Sequence, residues 1–219
     1  MNTNLFEKKL ESMSSSDFNK ISAKDEDWKY LGKKIFELND IKIGSTKEIQ
    51  QSDNSDIDFN GFSYIVNSDM KHVKITNIND ISEPLIDNSI KRPFDKFNIE
   101  QFEKVTGGFR IDFQDDVDEY CTVNFQSDQN SIPYVGICVE KNKTAKLYLN
   151  LNNSVKGNVY PIIELSLKEN SNLEIILSVT SLEDVNIANS IYAKVLKDAN
   201  LKIHTISMGG ELSRSRMDI

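Results

Sequence analysis

Two stretches of the sequence, Lys168–Ile175 (KENSNLEI) and Leu196–Ile203 (LKDANLKI), decide the fold. They match when one is shifted by 28 residues, and a weaker copy lies over residues 140–149. Each stretch is a polar turn that ends in a small residue and is followed by alternating apolar and polar residues. Structural units that repeat at a fixed period are typical of stacked coils. The repeat therefore predicts strands that stack in successive coils.

The region around these stretches alternates between apolar and polar residues with a period of two, which predicts short strands separated by polar turns. The alternating segments are Phe109-Ile111-Phe113, Tyr120-Thr122-Asn124, Val135-Ile137-Val139, Leu147-Leu149-Leu151, Ile163-Leu165-Leu167, Leu173-Ile175-Leu177, Ile187-Asn189-Ile191, Ala193-Val195 and Leu201-Ile203-Thr205. A β-sandwich of hairpins and a parallel β-helix both fit this pattern. Asn-Gly and Asp-Gly hairpin signals do not occur between the segments, and the repeat favours the β-helix.

The patterning changes near residue 105. We predict an N-terminal helical and mixed α/β region over residues 1–105 and a β-helix core over residues 106–219. Apolar residues recur at helical spacing in the first 50 residues. Two short strands are predicted between Phe62 and Ile78. Together with the β-helix core they make the predicted fold class mainly β, with helix confined to the N-terminal region.

A short helix is predicted from Ile99 to Val105, at the end of the N-terminal region. Asn98 precedes it as an N-cap, and Gly107-Gly108 follows it as a stop signal. A second glycine pair, Gly209-Gly210, is interpreted as a tight corner of the β-helix with positive φ, because neither pair belongs to a phosphate-binding loop.

The composition excludes several classes of protein. The chain has 219 residues with 26 Lys and Arg against 34 Asp and Glu, and its net charge is -8. This balance argues against a nucleic-acid surface, since binding of that kind begins with cations that neutralise phosphates. Collagen, coiled-coil and disulfide-scaffold compositions are also excluded.

The start of the chain and its apolar runs bear on location. No window of about 18 apolar residues predicts a transmembrane helix. Lys and Glu occupy the opening residues, where a signal peptide needs an apolar run. We therefore expect a cytoplasmic chain with no membrane partner, in which Cys121 and Cys138 are free thiols.

Two segments resemble the SufB/SufD family of iron–sulfur cluster assembly proteins. Asp25-Glu26-Asp27-Trp28-Lys29-Tyr30 resembles the acidic-acidic-x-Trp-(Lys/Arg)-Tyr segment near the start of SufD proteins. Ser207-Met208-Gly209-Gly210-Glu211-Leu212-Ser213-Arg214 is similar to the Ser-x-Gly-Gly-x-x-Ser-Arg segment of the family. The form of the Trp-Lys-Tyr segment makes the chain more similar to SufD than to SufB.

The resemblance implies a right-handed parallel β-helix that follows an N-terminal helical region. It implies a non-enzymatic scaffold component of the SUF system, which pairs with a SufB-like protein and works with a SufC-like ATPase. A second copy of the chain is the alternative partner. The family's C-terminal helical domain has no counterpart here, so we expect a truncated chain or a last coil that a partner covers.

The resemblance transfers no catalytic, cofactor-binding or metal-binding residue to this chain. The cysteine and histidine at which family members are thought to assemble clusters belong to the part without a counterpart. An iron–sulfur cluster is therefore expected only transiently and at the level of the complex.

The candidate ligands and nucleophiles of the chain have simpler structural interpretations. Cys121 and Cys138 lie 17 residues apart without a Cys-x-x-Cys spacing, and we predict small buried residues rather than iron ligands. His204 is predicted to lie exposed on the strand face that carries Lys202 and Ile206, and His72 is predicted to be exposed.

The remaining polar and aromatic features also have structural interpretations. The acidic run Asp112–Glu119 lacks the Gly and Glu positions of a calcium loop and is predicted to be a solvated turn. Arg214 and Arg216 share one strand face, and binding to an acidic partner and simple solvent exposure both remain open. Trp28 is expected to anchor the helical region, with partner binding as the alternative. A β-helical carbohydrate-active enzyme or binding module is the alternative function.

Overall fold

The computed structural model describes residues 5, 6, 10, 62–67, 73–86, 96–105, 107–127, 130–152, 158–180, 185–210 and 212–219. These residues form eleven strands, one α-helix and one 3-10 turn at Ile78–Asp80. The strands are β1 (Phe62–Asn67), β2 (Val73–Asn77), β3 (Gly107–Phe113), β4 (Tyr120–Ser127), β5 (Pro133–Val139), β6 (Thr144–Asn152), β7 (Ile162–Leu167), β8 (Asn172–Thr180), β9 (Asn186–Val195), β10 (Asn200–Met208) and β11 (Leu212–Asp218). The helix, α1, spans Lys96–Glu103.

The strands form two sheets that confirm the predicted parallel β-helix. Sheet A has the order β1-β4-β6-β8-β10, and sheet B has the order β11-β9-β7-β5-β3-β2. Successive strands from β3 onward alternate between the two sheets. Each rung of the β-helix therefore consists of one strand of sheet B and one strand of sheet A. All neighbours are parallel except β1 and β2, which pair antiparallel with β4 and β3. The two strands predicted between residues 62 and 78 therefore belong to different sheets.

The 28-residue repeat of the sequence is the length of one rung. Ile175 on β8 lies opposite Leu147 on β6 and Ile203 on β10, and each neighbour is 28 residues away. Sheet B has the same period from β5 to β9, where Ile163 lies opposite Val135 and Ile191. Equivalent side chains therefore stack directly on one another, as in-register parallel strands require.

The repeated polar stretches form stacked turns between the sheets. Asn142, Asn170 and Asp198 occupy equivalent positions in successive turns and have φ angles of 59°, 56° and 58°. Asn and Asp tolerate this left-handed region better than other side chains except Gly. The Asn170 Nδ2 donates to Asn142 Oδ1 at 3.1 Å, so the turns are also tied from rung to rung.

The space between the two sheets is a continuous apolar core. Leu, Ile, Val and Phe side chains from every rung fill it, and most are less than 2% exposed. Fully burying one side chain of this kind contributes about 1.5–3 kcal/mol. The stacked aliphatic rows therefore supply the main stabilisation of the β-helix.

A second apolar cluster covers the outer face of sheet B. Phe97 and Phe102 of α1 pack there against tyrosines of the sheet, and Phe6 joins them with its ring 5.3 Å from Phe102 and 5.1 Å from Tyr134. Sheet B is therefore buried on both faces, which explains the fully buried pattern of β5 and β7. The outer face of sheet A carries no such cover among the described residues.

The helix differs from its prediction in both boundaries. It begins before Asn98, so that residue is a buried member of the helix instead of its N-cap. Gly107 and Gly108 begin β3 and do not end the helix. The sequence signal is misleading because Asn98 takes part in a buried polar network with Gln101 and Ser190 and does not cap the helix.

The predictions for most of the N-terminal region lie outside the described residues. These include the helices of the first 50 residues, apart from Leu5, Phe6 and Leu10, and also Trp28 and His72. The Leu10 amide donates to the Phe6 carbonyl oxygen at 2.7 Å, which is one turn of helical hydrogen bonding. Within the described part of the chain, no helix has the length and apolar character needed to cross a membrane.

Candidate functional site

The segment Ser207–Arg214 forms the corner that joins β10 to β11. Gly209 and Gly210 have φ angles of 82° and 87°, which L side chains rarely adopt. The hydroxyls of Ser207 and Ser213 lie 3.0 Å apart across the corner and share a hydrogen bond. The predicted role of Gly209-Gly210 as a corner with positive φ is confirmed.

The earlier glycine pair has a different role from the corner pair. A Cβ at Gly108 would lie 2.0 Å from the Tyr134 carbonyl oxygen, and its φ is 154°. Gly108 therefore allows β3 to approach β5 closely at the first residues of the strand. The expectation that this pair stops a helix was wrong, because its constraint comes from the neighbouring strand.

Arg216 lies beneath α1 and does not face solvent. It lies on the outer face of sheet B and is 7% exposed. Its Nη1 donates to Asn98 Oδ1 of α1 at 2.5 Å, and its Nε donates to Asp218 Oδ2 at 2.7 Å. Arg214 places its guanidinium carbon 6.0 Å from the centre of the Phe97 ring, a cation–π contact. The solvent-exposed interpretation of Arg216 was wrong, since the helix covers this end of the sheet.

A buried polar network continues from Arg216 beneath the helix. Asn98 Nδ2 donates to Ser190 Oγ at 3.1 Å and to Gln101 Oε1 at 3.2 Å. Gln101 Nε2 donates to the carbonyl oxygens of Tyr160 and Ala188 at 3.2 and 3.4 Å. The network therefore joins α1 to β9, to β11 and to the segment that precedes β7, and it satisfies polar groups that burial would otherwise penalise.

A second buried polar contact holds the segment before the helix. Glu164 is fully buried on the outer face of sheet B. Its Oε2 accepts from the Tyr134 hydroxyl at 2.8 Å and from the Ile86 amide at 3.1 Å. Burial and the neighbouring carboxylate raise the pKa of Tyr134 well above its usual value. No local pattern in the sequence indicates this contact, because its partners lie 30 and 78 residues from Glu164.

The two cysteines are buried but do not share an environment. Cys121 faces the core between the sheets, whereas Cys138 lies on the outer face of sheet B with its Sγ 3.8 Å from Glu140 Oε1. Burial, together with Asp112 and Glu140, raises the pKa of Cys138 to about 11. The thiol is therefore protonated at neutral pH. The prediction that both cysteines are buried is confirmed.

His204 lies on the exposed outer face of sheet A, as predicted. Its Nε2 is 3.6 Å from Glu174 Oε1 on the neighbouring strand. Lys202 and Ile206 share this face and are also exposed. This face of β10 therefore presents polar side chains with the apolar Ile206 among them.

The acidic run from Asp112 to Glu119 is distributed over several separate contacts. Asp115 Oδ1 accepts from Lys143 Nζ at 3.0 Å, and Asp116 Oδ1 accepts from the Thr144 amide at 2.8 Å. Arg110 forms an ion pair with Asp112 at 2.7 Å. Within the described ranges, no group of three or more His, Cys, Asp and Glu side chains could hold a metal ion.

The edge formed by β10 and β11 is the strongest candidate for a functional surface. Each has a hydrogen-bonded strand on one side only within the described sheets. Large exposed apolar side chains gather there: Met208 is 58% exposed, Ile206 is 45% exposed and Met217 is 38% exposed. Edge strands present unpaired amides and carbonyls to a neighbouring chain, so this edge is suited to strand pairing.

Comparison of the chain with family models, curated proteins and solved structures finds no match.

Proposed function

We propose that the protein is a SufD-like scaffold component of iron–sulfur cluster assembly, without catalytic activity of its own. One observation carries the proposal. The segment Ser207–Arg214, on which the resemblance to the SufB/SufD family partly depends, forms a rung corner of a parallel β-helix. The resemblance implies this architecture, and the described residues of the motif fit it.

The roles of the motif residues favour a scaffold over an enzyme. The glycines shape the corner, the two serines bond across it, and Arg214 contacts the helix. Each of these contacts positions backbone or packs one element on another. An iron–sulfur cluster would be cargo of the assembled complex in this proposal, not a resident group of the chain.

The partners would be a SufB-like β-helix and, within the same complex, a SufC-like ATPase. Strand pairing at the edge of β10 and β11 would extend both sheets into the partner and would bury Ile206 and Met208. The backbone supplies affinity in this mode, and the alternate side chains supply specificity.

Co-purification tests the proposal directly. The tagged chain, expressed with SufB-like and SufC-like proteins of the same source, should retain the SufB-like protein and through it the SufC-like ATPase. Met208→Glu should weaken capture by about tenfold or more, because a carboxylate would be buried at the paired edge. Tyr120→Glu, at an exposed residue of β4 three strands away from β10 in the same sheet, is the control and should leave capture unchanged.

A functional readout accompanies the binding assay. In cells depleted of their own SufD, the chain should restore the activity of iron–sulfur enzymes if it can act as a scaffold. Failure to capture the SufB-like protein and failure to restore these enzymes would together reject the proposal. Undiminished capture of the SufB-like protein by the Met208→Glu variant would reject only the proposed role of the edge formed by β10 and β11.

A further inference from the structure

The outer face of sheet A carries polar side chains on strands that lie inside the sheet. β4, β6 and β8 each have a hydrogen-bonded strand on both sides. Their inward side chains belong to the apolar core, so the alternate side chains point outward. No described residue covers this face, whereas α1 covers the corresponding face of sheet B. The surface therefore does not depend on any strand edge.

In-register pairing arranges the outward side chains in rows that cross the strands. Each row takes one side chain from each rung, and neighbours within a row are one strand spacing apart, about 4.8 Å. The rows therefore run along the axis of the β-helix. A linear ligand that lies along a row meets an equivalent position at every rung.

The first of these rows, the charged row, consists of Tyr120, Lys146, Glu174 and Lys202. The Tyr120 hydroxyl donates to the Glu174 carboxylate over β6, and Nε2 of His204 lies 3.6 Å from Oε1 of the same carboxylate. Among the described residues, no carboxylate forms an ion pair with Lys146 or Lys202. The charged row therefore offers two ammonium groups on alternate strands.

The second row, the aromatic row, crosses the middle of the face. Tyr148 lies between Thr122 and Ile176 in this row, and all three side chains are half-buried. Within the described ranges, no second aromatic ring contacts Tyr148. The row therefore presents one aromatic ring and one aliphatic side chain in a polar surrounding.

The third row, the amide row, contains Asn124 and Asn150 on β4 and β6. The Asn150 Nδ2 donates to Asn124 Oδ1 at 3.1 Å, and this bond holds both amides in one orientation. Nδ2 of Asn124 can then donate to a ligand, and Oδ1 of Asn150 can accept from it. A donor beside an acceptor is suited to two adjacent hydroxyls.

We propose that these three rows bind a linear acidic glycan, a chain of 1,4-linked uronate sugars that lies along the axis of the β-helix. A uronate sugar presents a carboxylate, an apolar C–H face and adjacent hydroxyls. The lysines of the charged row pair with the carboxylates, the Tyr148 ring packs against a C–H face, and the amide row bonds to the hydroxyls. Each kind of side chain thus has its counterpart on the ligand.

The spacing of the lysines agrees with such a ligand. A 1,4-linked sugar lengthens a glycan by a distance close to the strand spacing, about 4.8 Å, so successive sugars meet successive rungs. In a glycan with a two-fold repeat, the carboxylates return to the same side at every second sugar. Lys146 and Lys202 lie on alternate strands of sheet A, and they can pair with two such carboxylates.

The charge of the face is complementary to this ligand, although the chain as a whole has a net charge of -8. Charges more than about 8 Å apart are largely screened at physiological ionic strength, so the side chains of the face itself decide. The charged row has two lysines against one carboxylate, Glu174, which the Tyr120 hydroxyl already contacts. The acidic residues elsewhere disfavour polyanions that bind by charge alone.

A single-stranded nucleic acid is the competing polyanion. Ligands of that class stack successive bases on aromatic side chains along a positively charged groove. The tyrosine rings of this face, Tyr120 and Tyr148, lie in different rows, and none of the three rows contains Arg. Successive bases would therefore find no line of rings, and the geometry favours the glycan.

Isothermal titration calorimetry of the full chain tests the proposal with two matched probes. A β-1,4-linked hexamannuronate is the acidic probe, and β-1,4-linked mannohexaose has the same ring stereochemistry without carboxylates. We expect the acidic hexamer to bind more tightly by about tenfold or more, because only it can pair with the lysines. Equal affinity of the two hexamers would overturn the proposal, and so would a failure of hexamannuronate to bind at millimolar concentration.

Substitutions on the face identify the surface that binds. Lys146→Met and Tyr148→Ala should each weaken the binding of hexamannuronate by about tenfold or more, whereas Tyr148→Phe keeps the ring and should bind like the wild type. Lys74→Met makes the same change of charge on β2 of sheet B and should have no effect. Unchanged affinity of Lys146→Met, which alters no core residue, would reject the site even if Tyr148→Ala failed to fold.

A uridine hexanucleotide distinguishes the two classes of polyanion. It should bind more weakly than hexamannuronate, and tighter binding of the nucleotide would overturn the assignment to a glycan. These titrations involve no SufB-like or SufC-like protein, and they probe the face of sheet A instead of the edge formed by β10 and β11. Their result is therefore independent of the proposed function.

Discussion

Arg216 Nη1 donates to Asn98 Oδ1 at 2.5 Å, although the two residues lie 118 positions apart. The contact joins the last strand of sheet B to the helix on its outer face. Both side chains are nearly or fully buried. The helix and the last rung are therefore held by one polar contact as well as by packing.

Removal of the Arg216 guanidinium should destabilise the protein. Arg216→Met leaves Asp218 and the Asn98 carbonyl without their cationic donor in a buried site, and we expect the free energy of unfolding to fall by about 3 kcal/mol. Urea denaturation followed by circular dichroism measures the loss. Lys202→Met, an exposed cation on β10, is the control and should change the free energy by about 0.5 kcal/mol or less. Equal effects of the two substitutions would contradict this account.

Gly108 should be intolerant of any side chain. Gly108→Ala places a Cβ 2.0 Å from the Tyr134 carbonyl oxygen. We expect the free energy of unfolding to fall by about 3 kcal/mol, because the backbone of β3 or β5 must move to make room. Gly136→Ala is a matched control on the neighbouring strand, where the nearest atom is the Tyr134 hydroxyl at 3.3 Å. That variant should lose about 1 kcal/mol. Thermal unfolding of both proteins distinguishes the two cases.

The stacked turns should depend on the left-handed conformation of Asn170. Ala tolerates the left-handed region less well than Asn does, so Asn170→Ala at a φ of 56° should lower the free energy of unfolding by about 1–2 kcal/mol. Asn170→Gly should lose less, since Gly adopts this φ freely and only the bond to Asn142 disappears. Asn200→Ala, at the exposed start of β10, serves as the control. The critical result in urea denaturation is that Asn170→Ala has a lower free energy of unfolding than Asn170→Gly.

Cys138 should react slowly and should make the protein sensitive to alkaline pH. Because its pKa is raised to about 11, the folded protein favours the neutral thiol. The stabilisation is complete below the pKa of the unfolded thiol, about 9, and is lost as the pH rises toward 11. Cys138→Ser should therefore unfold with a smaller pH dependence between these values.

Thiol labelling checks the same residue at constant pH. At pH 8 the folded protein should resist iodoacetamide at Cys138, whereas the protein unfolded in urea should be labelled readily. Rapid labelling of the folded chain would show that the thiol is more accessible and more acidic than the structure indicates.

The β-helix was predictable from the sequence because its information is local and periodic. The turn phrases around Asn170 and Asp198 repeat at the rung length, and the strands between them carry apolar residues at most alternate positions. A further repeat lies in the sequence at the same period. Asn130, Asn158 and Asn186 recur with the same spacing, and the amides of the latter two donate to the side chain of the preceding one at 2.7 and 2.9 Å.

The outer face of sheet B could not be predicted in the same way. Asn98 resembles a helix cap in sequence, and Arg216 resembles a surface cation. Their burial depends on the position of α1, which is set by packing of Phe97 and Phe102 against distant tyrosines. Glu164 is likewise interpretable only when Tyr134 and Ile86 are known to meet it. Such contacts between distant residues leave no period in the sequence.

The position of α1 across sheet B also limits the number of rungs. Gln101 bonds to the rungs of Tyr160 and Ala188, and Asn98 bonds to those of Ser190 and Arg216. Insertion of one 28-residue unit among these rungs would leave the core in register but would move Arg216 away from Asn98 by about 4.8 Å, the spacing of one strand. The helix therefore fixes the number of rungs beneath it, because the gain or loss of a rung there would break a hydrogen bond between α1 and the β-helix.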